Sequence, residues 1–265
     1  MPRRDFRAEP VRKLVVIGES NAYGMSATDP RNEWVQTVAN LVRDFQEGPL
    51  HVLNNAVPAN VISRESVGYS PDWEGSLPPA LDRYEEDLIS LEPDLAIIAY
   101  GLNDSRCGNP VEDFVRDYER IVRDVRKRTS ALVVLVGPYW NTQYDPELWF
   151  GLDERPDFGK FDKAGRDLVV DYVEAIRNVA EKHDCLFVDL FTPFESSIWL
   201  LTTDQCHYSD VGQRVLGNAV FQTIAANCSF VGAKSRASRV EGAFTGYNPG
   251  GPEGSGRMRR LWHGR

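Results

Sequence analysis

Three short stretches of this chain carry side chains that together could transfer an acyl group. Gly18-Glu19-Ser20-Asn21 supplies a hydroxyl, Gly101-Leu102-Asn103-Asp104 a primary amide, and Asp204-Gln205-Cys206-His207 an imidazole with a carboxylate three residues upstream. A serine hydroxyl is inert near neutral pH until a base takes its proton. Histidine suits that task because its unperturbed pKa, about 6.5, lies near working pH. An aspartate must hold the imidazole tautomer and stabilise the imidazolium, and a local turn from Asp204 to His207 could make that contact. The negative charge that develops on a carbonyl oxygen needs preorganised donors, each worth about 3–4 kcal/mol when removed. Asn103 can give a side-chain amide and the turn at Ser20 a backbone N–H.

These stretches are far apart in sequence, so a fold must bring them together. Short apolar runs at Leu14–Ile17, Val52–Leu53, Leu95–Tyr100, Leu132–Val136 and Leu186–Val188 are continuous rather than alternating, as strands covered on both faces are. Between them lie stripes of helical period. One holds Trp34, Val35, Val38, Leu41, Val42 and Phe45, and another Phe114, Val115, Tyr118, Ile121, Val122 and Val125. A third runs from Leu168 to Val179, and a fourth carries Val211, Val215, Leu216 and Val220. Strands alternating with helices predict an α/β fold: a three-layer α/β/α sandwich around a mostly parallel sheet of five strands. In such sheets ligands bind beyond the carboxyl ends of the strands. The hydroxyl follows the first run, the amide follows the third, and the Asp-x-x-His follows the fifth, so topology alone delivers all three to one edge.

The chain's 265 residues suit one large domain. Its net charge of −9 argues against a nucleic-acid binder, which needs clustered Lys and Arg. Cys107, Cys185, Cys206 and Cys228 are scattered, without the spacing of a disulfide framework or a zinc site, and read as small buried thiols. No metal or other cofactor is expected. No run approaches a membrane span, and the apolar run in the first eighteen residues is too short for a signal-peptide core, so the expectation is a soluble, cytoplasmic protein. From Val231 the composition changes: seven Lys or Arg, two acids and eight Gly give +5 and leave −14 on residues 1–230. The expected organisation is one domain over 1–230 and a basic, glycine-rich tail over 231–265. That tail is either draped on the surface or an arm for an acidic partner or a neighbouring subunit.

At these residues the sequence resembles the SGNH hydrolases, the GDSL-type esterases and lipases. Gly18-Glu19-Ser20 is similar to the family's first block, Gly101-Leu102-Asn103-Asp104 to its third and Asp204-Gln205-Cys206-His207 to its fifth, and the likeness runs from Lys13 to about Ile224. The resemblance implies a flavodoxin-like fold of SGNH type, Ser20 as nucleophile, His207 as base and Asp204 as the orienting acid. It also implies oxyanion donors at the Ser20 N–H, the Asn103 side chain and, in the second block, the N–H of Ala59. Two positions depart from the pattern. Glu19 stands where the family has aspartate, and Ala59 where it has a glycine; alanine resists positive φ.

Each residue also has a plainer reading. Ser20 alone could cap a helix, Asn103-Asp104 could make an Asx-turn, and Asp189, after the fifth run, could rival Asp204 but more simply anchors the sheet edge. His51, His183 and His263 lie in no comparable setting. A long connection, residues 138–161, is rich in aromatic rings, and Tyr139 and Trp140 at its start are candidate substrate-binding residues that could stack on a sugar face or hold an acyl chain. The expected function is cleavage of a carboxylic ester, with a small-molecule or glycan ester as partner and a small acyl group such as acetyl preferred, since no apolar lid helix is evident. The alternative is a non-catalytic carbohydrate-binding or assembly protein that kept the fold. Oligomeric state is not legible.

Overall fold

The computed structural model describes residues 4–46, 48–71, 78–140, 159–161, 163, 165–195, 197–204 and 206–232. Each of the five apolar runs is a strand: β1 Lys13–Gly18, β2 His51–Asn54, β3 Leu95–Ala99, β4 Leu132–Val136 and β5 Leu186–Val188. Their order is β2-β1-β3-β4-β5, and every neighbouring pair is parallel, so the sheet is parallel throughout. Burial follows position. All five residues of β4 are buried, whereas β2, at an edge, is part-exposed along its length.

The helices are α1 Ser20–Tyr23, α2 Trp34–Gln46, α3 Ala80–Asp87, α4 Leu102–Arg106, α5 Val111–Arg128, α6 Arg166–Lys182, α7 Phe191–Glu195 and α8 Asp210–Asn227. The four predicted stripes fall on α2, α5, α6 and α8. Alternate strand residues face opposite layers. Leu14, Val16, Ile97 and Val134 pack with Trp34 and Val38 of α2 and Leu216 and Val220 of α8. On the other face Val15, Ile17, Ile98 and Leu135 pack with Tyr84 of α3, Tyr118 and Val122 of α5 and Tyr172 and Ile176 of α6. In α5, Glu112 and Asp113 occupy the first turn and Arg126, Lys127 and Arg128 the last, which complements the helix dipole at both ends.

After β2 the chain crosses to the other side of β1, so β1 and β3 are the strands where the order reverses. A crevice opens at the carboxyl ends of such strands. The joint beneath it is tight. A Cβ on Gly18 would lie 2.4 Å from the Ala22 Cβ and 2.7 Å from the Ala99 carbonyl oxygen, so only glycine lets α1 turn back directly over β1 and β3. No helix of the described residues is long and apolar enough to cross a membrane. Residues 141–158 of the aromatic connection and 233–265 of the basic tail lie outside the described residues, as do Gln205 and His263, and so do the readings that fall on them.

Candidate active site

Ser20 is the first residue of α1, delivered by β1 to the sheet's rim, and 6% of its surface is exposed. Its Oγ lies 3.0 Å from Nε2 of His207. His207 comes from the other end of the chain, on a loop closed by an antiparallel bridge between Leu201 and Tyr208 and by a hydrogen bond from the Thr202 N–H to the His207 carbonyl at 2.8 Å. Inside this loop Asp204 Oδ2 lies 2.6 Å from His207 Nδ1. Its other oxygen, Oδ1, accepts from Thr202 Oγ1 at 2.7 Å and from the N–H groups of Cys206 and His207 at 2.8 and 2.9 Å. Burial alone would raise the Asp204 pKa, but the His207 hydrogen bond and charge, with the N–H and hydroxyl donors, hold it well below the usual carboxylate range. An ionised Asp204 keeps the proton of His207 on Nδ1, leaving the Nε2 lone pair for the serine hydroxyl.

The rival carboxylate, Asp189, is spent on α7: its oxygens accept from the N–H groups of Phe191 and Thr192 and from the Thr192 hydroxyl. His183 pairs with Glu119, and His51 lies exposed in β2.

Asn103 sits in α4, just beyond β3. One of its amide hydrogens goes to the Asn60 carbonyl at 2.9 Å, which fixes the plane of the amide and leaves the second hydrogen available. Ala59 takes φ +55°, the left-handed conformation that a glycine would adopt more readily. The N–H groups of Ser20 and Ala59 stand without an acceptor among the described residues, as does the second amide hydrogen of Asn103.

Glu19 explains how the first departure is accommodated. Its longer side chain reaches under the crevice, and its two oxygens accept the N–H groups of Leu102 and Asn103 at 2.9 and 2.8 Å, tying the Ser20 turn to α4. Burial, then the charge of Asp104, pushes its pKa up to about 8, against the pull of the two N–H groups and Arg106. Burial likewise pushes Asp104 up to about 7. That residue is structural: it accepts from Ser66 Oγ at 2.6 Å and the Ile62 N–H at 3.1 Å, pinning the loop after Asn60.

Tyr139 and Trp140 differ from expectation. Both rings are interior, 1% and 4% exposed. Tyr139 packs on Phe194 and Tyr208, and Trp140 on Val169, Val173 and Phe191. Neither offers an open face, because the chain leaving β4 turns inward over the apolar ends of α6 and α7. Among the described residues the exposed aromatic rings are elsewhere: Trp199, 75% exposed just before the His207 loop, Tyr23 at the end of α1, and Phe45 on α2. Sequence reasoning also passed over Arg106, whose Nη1 lies 2.7 Å from Cys206 Sγ. The one available signal was its place a helical turn after Asn103.

The sequence matches the family model of the GDSL-like lipases and acylhydrolases over residues 16–215. Among curated proteins no sequence matches it. Similar solved structures include a lipase/acylhydrolase from Enterococcus faecalis, at 20% identity and a TM-score of 0.60 over 81% of this chain and 96% of that one. A catalytic mutant of an acetylxylan esterase from Geobacillus stearothermophilus aligns at 19% identity and a TM-score of 0.57, over 80% and 94%. The psychrotrophic esterase EstA from Pseudoalteromonas sp., inhibited by monoethylphosphonate, aligns at 16% and 0.57, over 81% and 97%. At these identities the likeness is one of fold.

Proposed function

The chain belongs to the GDSL-like lipase/acylhydrolase family, whose chemistry is carboxylic ester hydrolysis, and on that premise we propose that it works through a Ser20-His207-Asp204 triad and an acyl-enzyme. Ser20 Oγ attacks the ester carbonyl carbon while His207 Nε2 takes its proton. The carbonyl oxygen becomes an oxyanion and receives the N–H groups of Ser20 and Ala59 and the free amide hydrogen of Asn103. Collapse breaks the bond to the alcohol, which leaves with the proton from His207. A water, deprotonated by the same nitrogen, then releases the acid and restores Ser20.

The observation that carries this reading is the unbroken sequence of contacts from Ser20 Oγ to Nε2 at 3.0 Å and from Nδ1 to Asp204 at 2.6 Å. We read the natural substrate as an ester of a small acyl group, acetyl by preference, on a carbohydrate. The acetylxylan esterase among the structural neighbours supports this, and so does the exposed indole of Trp199 beside the His207 loop, a flat apolar face of the kind that stacks on sugars. The test is turnover of p-nitrophenyl acetate and labelling by a fluorophosphonate. Ser20→Ala is expected to lower kcat by at least about 10⁴-fold and abolish labelling. Hydrolysis undiminished in that variant removes Ser20 from the mechanism. Trp199→Ala is expected to raise KM for an acetylated xylo-oligosaccharide several-fold while leaving p-nitrophenyl acetate unchanged; equal effects on both substrates would remove the sugar-stacking role.

A further inference from the structure

Ser20 opens the short helix α1 and His207, 187 positions away, sits on a loop, yet their reacting atoms are 3.0 Å apart. A displacement of about 1 Å in such a pair costs on the order of 10²-fold in rate, so something must brace the two segments against each other. The residue after Ser20 and the residue before His207 are joined through one side chain. Asn21 Nδ2 donates to the hydroxyl of Tyr139 at 3.0 Å, and that hydroxyl donates to the carbonyl of Cys206. We propose that Tyr139 is a positioning residue that sets the Ser20–His207 contact through this buried relay. The proposal rests on the triad reading above.

The chemistry of the relay admits one direction. An amide N–H only donates and a carbonyl only accepts, so the phenol must receive from Asn21 and give to Cys206. Burial holds the phenol pKa well above its ordinary value, so the donor persists across the working pH range. The ring is held by Phe194 and Tyr208, with centroids 5.2 and 5.0 Å away, which fixes where the oxygen stands. The Asn21 side chain has no competing anchor: its Oδ1 is buried and takes no hydrogen bond among the described residues. Its backbone carbonyl is held separately by Trp34 Nε1 at 2.8 Å, so without the relay the turn stays folded but its spacing from the Cys206 carbonyl is no longer tied.

Tyr139→Phe keeps the ring and removes the oxygen. The expected result is a 10- to 100-fold fall in kcat on p-nitrophenyl acetate (roughly the penalty for a displacement on the ångström scale), with KM within about twofold of wild type. Labelling of Ser20 by a fluorophosphonate should slow by the same factor. Asn21→Ala breaks the relay from its other end and should match, and the double variant should be no slower than the slower single, because both remove one connection. Folded protein is counted in each sample by circular dichroism and by the final labelling stoichiometry, so a purely structural tyrosine would lower Tm and leave the rate per folded molecule unchanged. That outcome overturns the proposal, as does a double variant whose two effects multiply. Ser20→Ala separates the readings: wild-type labelling at Ser20 with an unaffected Tyr139→Phe sinks the relay alone, whereas hydrolysis that survives Ser20→Ala sinks the triad and the relay with it.

Discussion

Two single residues carry this chain's departures from its family, and each has a measurable cost. Ala59 holds φ +55°, a conformation about 1–2 kcal/mol worse for alanine than for glycine. Glycine would relieve that strain but loses more entropy on folding, about 0.4–1 kcal/mol. Ala59→Gly is therefore expected to leave the free energy of unfolding in urea unchanged or raised by up to about 1.6 kcal/mol, with kcat on p-nitrophenyl acetate retained. A clear loss of stability would show that the backbone relaxes elsewhere. Glu19 makes stability depend on pH. Its pKa rises from 4.5 to about 8 on folding, and that of Asp104 from 3.8 to about 7. The folded state therefore holds protons that the unfolded chain has released. The stabilisation from these protons is complete below the unfolded values and lost as pH climbs through about 7 and 8. Asp204, depressed on folding, works oppositely and fails only on acidification. The free energy of unfolding measured in urea should thus fall between about pH 5 and about pH 8.5, with a slope of up to about 1.4 kcal/mol per pH unit for each group. In Glu19→Gln the contribution of Glu19 to that slope should vanish, although the variant is less stable throughout, because its amide sets a donor against one of the two backbone N–H groups.

At the scale of elements, the strand-to-helix joint is where fold and site meet. Gly18→Ala puts a methyl where Ala22 and the Ala99 carbonyl already stand, so β3 or α1 must shift. The expected cost is about 2 kcal/mol or more, and kcat should fall even in the folded fraction because Ser20 is two residues away. A variant with wild-type Tm and rate would mean that the joint yields more easily than its contacts imply. The five strands were legible because a buried parallel strand must be apolar on both faces, and Leu132–Val136 has no other reading. The Asp204–His207 loop was legible because three residues of spacing suffice for the contact. The short helices α1, α4 and α7 were not, since four or five residues show no period. Tyr139 is a candidate substrate-binding residue from its aromatic neighbours in sequence, and only depth in three dimensions shows that its ring is buried and its hydroxyl bonded to Asn21 and Cys206. The reach of Glu19 across to α4 has no local signal at all.

Across the whole molecule, three loops from separate strands are braced in pairs by buried polar groups. Glu19 joins the Ser20 turn to α4, Arg106 joins α4 to Cys206, and Tyr139 joins Cys206 back to the Ser20 turn through Asn21. Such a triangle needs a rigid sheet beneath it, and that core closes late in the chain. Phe230 and Val231, in the single turn after α8, are buried with Leu14, Trp34 and Val220, and the backbone N–H of Ser229 is held by Asp5 at 2.9 Å. Each of the two side chains is worth about 1.5–3 kcal/mol when fully buried. A chain cut after Gly232 should therefore keep the Tm within a few degrees and the full kcat on p-nitrophenyl acetate, because every described core contact survives. One cut after Asn227 should lose roughly 3–6 kcal/mol from those two residues, enough to unfold much of a protein of ordinary stability. If the longer chain also changes sedimentation mass or affinity for an acidic polymer relative to full length, the basic tail is an interaction arm. If only the shorter chain changes, the domain ends at the turn after α8 and its folding and chemistry are complete without the tail.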